Sequence, residues 1–200
     1  MTPLLRMSST RSVSIALSWL MCLSVPLAEC CGDADFAFKS MELASGIRDD
    51  LLELNGLLRG TYNLGSSREQ KEIEKRLGIQ QVSISYCQLG FYDMERCFNQ
   101  IQVGLQTYSS YLSHIRQIIT DYPDHIRFIQ QNISHLYHNI QQKILNIVVH
   151  PPAESDPTLV RVHGKIGSYL VLRKLQLFMK EIFRVLSDCT EQRESMENSR

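Results

Sequence analysis

Between its prolines the chain repeats apolar residues every three or four positions, the spacing that lines one face of an α-helix. A first run holds Met41, Ala44, Ile47, Leu51, Leu54 and Leu58. A second holds Met94, Cys97, Ile101, Leu105, Tyr108, Leu112, Ile115 and Ile119, and stops at Tyr122-Pro123. A third resumes with Ile126, Ile129, Ile133, Leu136, Ile140, Ile144 and Ile147, ending before Pro151-Pro152. The fourth carries Val162, Ile166, Tyr169, Leu172, Leu175, Met179, Ile182 and Leu186. No comparable stretch alternates with the period of two of a half-buried strand. Four long helices with one apolar face each bury those faces best around a shared core, so the sequence predicts an all-α, four-helix bundle.

The connections limit how the helices are arranged. The second and third runs are joined by a short turn around residues 121–124, which makes those helices antiparallel neighbours. About 30 residues separate the first two runs and include a short amphipathic candidate at 68–77; about 12 separate the last two. A 24-residue helix is about 36 Å long, and 12 extended residues reach about 40 Å. Both long connections can therefore cross the bundle, which permits an up-up-down-down order; an up-down-up-down bundle with slack loops is the alternative.

Arg6 and Arg11 precede an uncharged apolar stretch at 13–28, a basic region followed by an apolar one of secretory length. Residues 1–30 are expected to be a signal peptide, cleaved somewhere between 28 and 32. Residues 31–187 would then be the helical domain and 188–200 a polar, flexible tail. The loose lipobox Leu27-Ala28-Glu29-Cys30 is the rival reading, and glutamate beside the cysteine fits it poorly. No later segment reaches the ~20 apolar residues of a membrane helix, so no membrane insertion is expected. Without residues 1–30 the chain keeps 19 basic and 20 acidic residues, and no run of cations marks a partner for nucleic acid.

Motifs for chemistry are lacking. His135 and His138 sit three apart on the third run, but no cysteine or carboxylate is placed to complete a zinc site. A solvated polar face explains them better. The chain shows no His-Glu-x-x-His pattern, phosphate-cradling glycine loop or nucleophile elbow. Asp49-Asp50 falls on a helix exterior without an enclosing pocket. No catalytic residue, metal or cofactor is therefore expected, and the chain reads as a binding protein. Asn132-Ile133-Ser134 is its N-glycosylation sequon; helical phase turns Asn132 outward, in a stripe with His125 and Asn139.

Cys87 and Cys97 flank nine residues just ahead of the second run. In an exported protein this pair is expected to be a disulfide; two unpaired buried cysteines are the alternative. Closing so short a loop stabilises by about 3 kcal/mol on the chain-entropy estimate. Cys189 is left to remain free, to pair with Cys31, or to cross-link two chains.

From Cys87 the chain reads CQLGFYDMERC, then FNQIQV, then Gly104-Leu105, Tyr108 and Leu112. This pattern, C-x9-C-x6-G-L-x2-Y-x3-L, resembles that of the interleukin-6/granulocyte colony-stimulating factor family of cytokines. The granulocyte colony-stimulating factor branch, with its avian myelomonocytic counterpart, is the nearer likeness. It rests on Gly32-Asp33 with Asp35-Phe36, Leu77-Gly78-Ile79, CFNQIQVGLQTY, Asn139-Ile140-Gln141-Gln142 and the segment after Gly167, together spanning roughly residues 33–186. Leu170-Val171-Leu172-Arg173 looks more like interleukin-6. An earlier disulfide usual in the family falls at Arg59 and Gly65 and is absent here, which is expected to loosen the first crossover.

The resemblance implies a secreted, monomeric long-chain cytokine that pairs class I cytokine receptors and promotes proliferation and differentiation of myeloid cells. An interleukin-6-like ligand using the shared receptor chain of that family is the alternative, and a secreted helical lipid carrier is a remote one. Carried over by position, Lys39, Glu42 and Asp50 of the first helix meet the receptor, and helical phase puts all three on one outward face. Two aspartates of the family's third helix correspond to Asn132 and His135, so that part of the face departs from the pattern. A second contact at the bundle end would use Glu69, which matches, and Val162, which stands where the family has phenylalanine.

Overall fold

The computed structural model describes residues 34–77, 84–87, 94–143 and 158–197. The proposed signal peptide and the cysteines before Ala34 lie outside the described residues. Five α-helices follow in order: α1 (Ala34–Thr61), α2 (Ser67–Leu77), α3 (Met94–Ile118), α4 (Pro123–Gln141) and α5 (Thr158–Glu197), with a 3-10 turn at Ser85–Cys87. Among the described residues there is no strand.

The four long helices are those expected, and their contacts settle the order. Going up α1, Arg48, Asn55 and Arg59 meet Phe183, Gln176 and Tyr169 going down α5. Gln106 and Ser113 of α3 likewise meet Tyr137 and Gln130 of α4. Phe36 near the start of α1 packs edge-on against Phe98 near the start of α3, with ring centroids 5.8 Å apart. Thr61 at the other end of α1 bonds Tyr122, just past the end of α3. So α1 and α3 run one way and α4 and α5 the other. Each helix packs on two antiparallel neighbours, with α1 against α5 and α4, and α3 against α4 and α5. This is the up-up-down-down bundle, in which both long connections cross from one end to the other.

The core follows the apolar spacing. Ala44, Ile47, Leu51, Leu54 and Leu58 of α1 are fully buried, as are Ile126, Ile129, Leu136 and Ile140 of α4. In α3 the motif positions Cys97, Gly104, Leu105, Tyr108 and Leu112 all face inward, and the Tyr108 ring lies against Phe178 of α5 at 5.4 Å. Burial pushes the Tyr108 hydroxyl well above its ordinary pKa. Pro123 opens α4 at its first position, where a missing N–H costs nothing. Ser66 caps α2 by accepting the Glu69 N–H at 3.2 Å, with serine and glutamate three apart as in a capping box.

Two details depart from the simple reading. α5 runs on to Glu197, through the stretch expected to be a polar tail, and it is broken near its start at Gly164 (φ 52°, ψ −128°). A side chain would be strained there. α4 ends at Gln141, and Ile144 and Ile147 lie outside the described residues. Cys87 and Cys97 are joined, with Cα atoms 4.8 Å apart. Cys189 is disulfide-bonded as well, which removes the free-thiol alternative; its partner lies outside the described residues.

Candidate functional site

The outward side of α1 is built by the phase of its apolar stripe. With Ile47, Leu51 and Leu54 inward, a 100° turn per residue carries Lys39, Glu42, Gly46, Asp50 and Glu53 toward α4. The antiparallel register then sets Asn139, His135, Asn132 and His125 opposite them. Lys39, Glu42, Leu43 and Gly46 border a groove of about 430 Å³ with Asn132, His135 and Asn139. Glycine at position 46 leaves the floor open, with nothing within 4 Å of where a Cβ would stand. Two helices far apart in the chain thus bring Lys39, Glu42, Asn132 and His135 together.

Lys39 is tied to Asp35 one turn back, Nζ to Oδ2 at 2.6 Å, so at this end the cation is partly neutralised. Asp50 stands further along, outside the groove lining. Partial burial raises its pKa above the usual carboxylate value; Glu53 and Asp49 add to the rise, and His125 opposes it. His125 Nε2 lies 3.9 Å from Glu53 Oε1. The face therefore concentrates carboxylates, with Asp50 the one whose charged form is disfavoured, and suits a cationic partner.

Two exposed aromatics were not anticipated. Phe38 on α1 is 64% exposed and Phe128 on α4 is 53% exposed. Both fall off the apolar stripe of their own helix, each with one buried neighbour (Ala37, Ile129) and one exposed, and that phase mismatch is the signal available in the sequence. Phe128 shares its α4 stripe with His125, Asn132 and His135, adding an apolar element beside a polar groove. Exposed aromatic anchors of this kind commonly dominate protein interfaces.

The bundle-end pair is separate from this face. Glu69 is exposed in the first turn of α2, and a Cβ at Gly65 would run into its carboxylate. The start of α5 reaches the same end of the bundle, where Lys165 stacks on Tyr62 at 3.7 Å. Val162 belongs to these first turns, and its side chain lies outside the described residues. Among the described residues no group of three His, Cys, Asp or Glu is placed to hold a metal, and no helix is long and apolar enough to cross a membrane.

No family model matches the chain. It is 25% identical over 196 residues to the myelomonocytic growth factor of Gallus gallus, covering 93% of this chain and 96% of that protein. It is 26% identical over 174 residues to the granulocyte colony-stimulating factor of Sus scrofa, covering 84% and 89%. Interleukin-6 of Gallus gallus matches at 21% over 154 residues, covering 72% of this chain and 64% of that one. A helical bundle stapled at Cys87–Cys97, with these relatives, defines a cytokine or growth factor and not an enzyme. Within that class the chain is similar to cytokines of the granulocyte colony-stimulating factor and interleukin-6 type.

Proposed function

We propose that this chain is a secreted growth factor resembling granulocyte colony-stimulating factor. It acts as a monomer, pairing class I cytokine receptors to drive proliferation and differentiation of granulocytic cells. The α1/α4 face is its main receptor contact and the α2/α5 end, with Glu69 and Val162, its second. One observation carries this reading: Lys39, Glu42, Asn132 and His135, each drawn from the family's receptor positions, border a single groove. Asp50 and the flanking Phe128 extend that face toward the carboxylates around Glu53. The two replaced aspartates fit a receptor contact that leans on α1 and Phe128 more than on the middle of α4.

An interleukin-6-like ligand is the second reading, favoured by the segment Leu170-Val171-Leu172-Arg173. Its first three residues are buried, so the likeness there concerns packing and weighs little on receptor choice.

The test applies the purified protein to cells bearing either the granulocyte colony-stimulating factor receptor or the shared interleukin-6 receptor chain. Signalling through the first is expected; signalling only through the second would overturn the reading. At residue level, Glu42→Ala should weaken receptor binding severalfold and leave the thermal midpoint unchanged. Asp50→Asn should weaken binding and slightly raise the midpoint, because neutralising it relieves a carboxylate whose charged form is disfavoured in the fold. A lowered midpoint in either variant would assign that residue to the fold instead.

A further inference from the structure

The chain is neutral as a whole, and its cations form no run along the sequence. Folding segregates them. Between residues 163 and 187, α5 holds five cations, Lys165, Arg173, Lys174, Lys180 and Arg184, against one carboxylate, Glu181. Steps of seven and four residues place Arg173, Lys180 and Arg184 on one exposed ridge, reaching about 16 Å along the helix axis. Leu177, half-exposed, lies between them. α2 runs beside this ridge, where Glu74 holds Lys174 at 3.3 Å. The cleft between the two helices, about 580 Å³, is bordered by Arg68, Lys71, Lys75 and Lys174, with Glu72 and Glu74 among them. On the α1 side of the molecule the balance is reversed, with Asp35, Glu42, Asp49, Asp50 and Glu53 against Lys39 and Arg48 over residues 35–53.

We propose that the α5 ridge and the adjoining α2 cations bind a sulfated polysaccharide of the heparin type. The arrangement fits a linear polyanion. The cations lie in a file along a convex helix, with no enclosed pocket that would select a small anion. The α2 cations Arg68, Lys71 and Lys75 border the cleft shared with Lys174, next to the Arg173 end of the ridge, so a polymer lying along Arg173, Lys180 and Arg184 meets them at that end. Long, flexible side chains on an open surface gain affinity by releasing counterions from the polymer, many weak pairs acting together. The ridge and the α2/α5 cleft share no residue with the α1/α4 groove, so this inference stands or falls independently of the receptor reading.

Immobilised heparin tests it directly, with the purified protein eluted by salt. The wild type is expected to stay bound at about 0.15 M salt, where isolated surface charges are largely screened. The triple variant Arg173→Gln/Lys180→Gln/Arg184→Gln should bind at least tenfold more weakly. Its slope of log affinity against log salt should be shallower by about 2, as expected for three lost ion contacts. A control of equal charge change, Lys39→Gln/Arg116→Gln/Arg127→Gln, should keep the wild-type slope. Elution of the wild type below 0.15 M, or equal weakening of both triple variants, would overturn the proposal. So would capture by phosphatidylserine vesicles at a salt where heparin is not bound. A measurement free of substitutions guards against a misfolded variant: heparin should shield Lys180 from an amine-acylating reagent severalfold more than Lys39, and equal labelling would count against the site.

Discussion

The end of the bundle where α1 and α3 begin and the end where they finish are closed by different chemistry. At the first, Cys87–Cys97 ties the long crossover to α3, and Cys189 near the C-terminal end of α5 carries a second disulfide. Phe36 sits edge-on to Phe98 there, and Lys143 Nζ lies over the Phe36 ring. The opposite end has no cross-link among the described residues, and the family's upstream bond would fall at Arg59 and Gly65. It holds a latch of polar and aromatic contacts instead. Arg59 Nε donates to the Tyr169 hydroxyl at 2.7 Å, and its guanidinium also stacks over that ring. Thr61 bonds Tyr122, Tyr62 donates to Asp121, and Lys165 covers the Tyr62 ring. A cross-link works largely by restricting the unfolded chain, whereas the latch exists only in the folded one. Reductant should loosen the first end, and a change of charge the second.

The largest expected effect comes from removing the staple. Cys87→Ser/Cys97→Ser should lose about 3 kcal/mol, lowering the thermal midpoint by roughly 6–12 °C in a chain of this size. A midpoint unchanged within error would mean that the crossover is held by its packing alone. Next is Arg59→Ala, which leaves the hydroxyl of Tyr169, a side chain only 1% exposed, without its partner. A loss of about 1–2 kcal/mol is expected, readable by urea unfolding; Tyr169→Phe in the same background should recover part of it. Recovery of nothing would break the account of the latch.

A smaller effect is confined to alkaline solution. Burial, then the hydrogen bond to Asp121, raises the pKa of Tyr62 from 10.0 to about 12. Since the folded value lies above the unfolded one, this contribution is complete below pH 10 and is lost as pH rises from 10 through about 12. Subtracting the thermal midpoints of Tyr62→Phe from those of the wild type, pH by pH, should give a difference that shrinks over that window. A flat difference would remove Tyr62 from the latch. Smallest of all is the gain from restoring the family's bond as Arg59→Cys/Gly65→Cys. Gly65 has φ +70°, any Cβ there meets the Glu69 carboxylate, and Arg59 would no longer reach Tyr169. Differential scanning calorimetry should find no stabilisation; a rise of several degrees would show that the latch is the poorer closure.

What could be read from the sequence tracks what repeats in it. The four long helices and their inward faces follow from a period of three to four, and the motif Cys97, Gly104, Leu105, Tyr108, Leu112 is legible because all five positions obey that period in the core. The direction of the helices needed contacts as well as loop lengths. The proposed receptor face was partly visible through Lys39, Glu42 and Asp50; Phe128 showed only as a residue out of phase with its own apolar stripe, which marks it as exposed without saying what it meets. The latch had no local signal at all. Arg59 and Tyr169 are separated by 110 residues and Tyr62 and Asp121 by 59, and pairs of that kind appear only once the helices are side by side. The charge ridge of α5 was hidden for a related reason, since net neutrality averages over faces that folding separates.

The helix order also has a consequence in time. α1 packs most broadly on α5, and Asn55 bonds Gln176, 121 residues later in the chain. At 5–20 residues per second a ribosome needs on the order of 6–25 s to make the intervening stretch. Throughout that interval the apolar stripe from Ala44 to Leu58 exists without its main cover, and α4 alone can shield part of it. The apolar stripe of α1 is therefore exposed longest during the chain's own synthesis, before α5 exists to cover it.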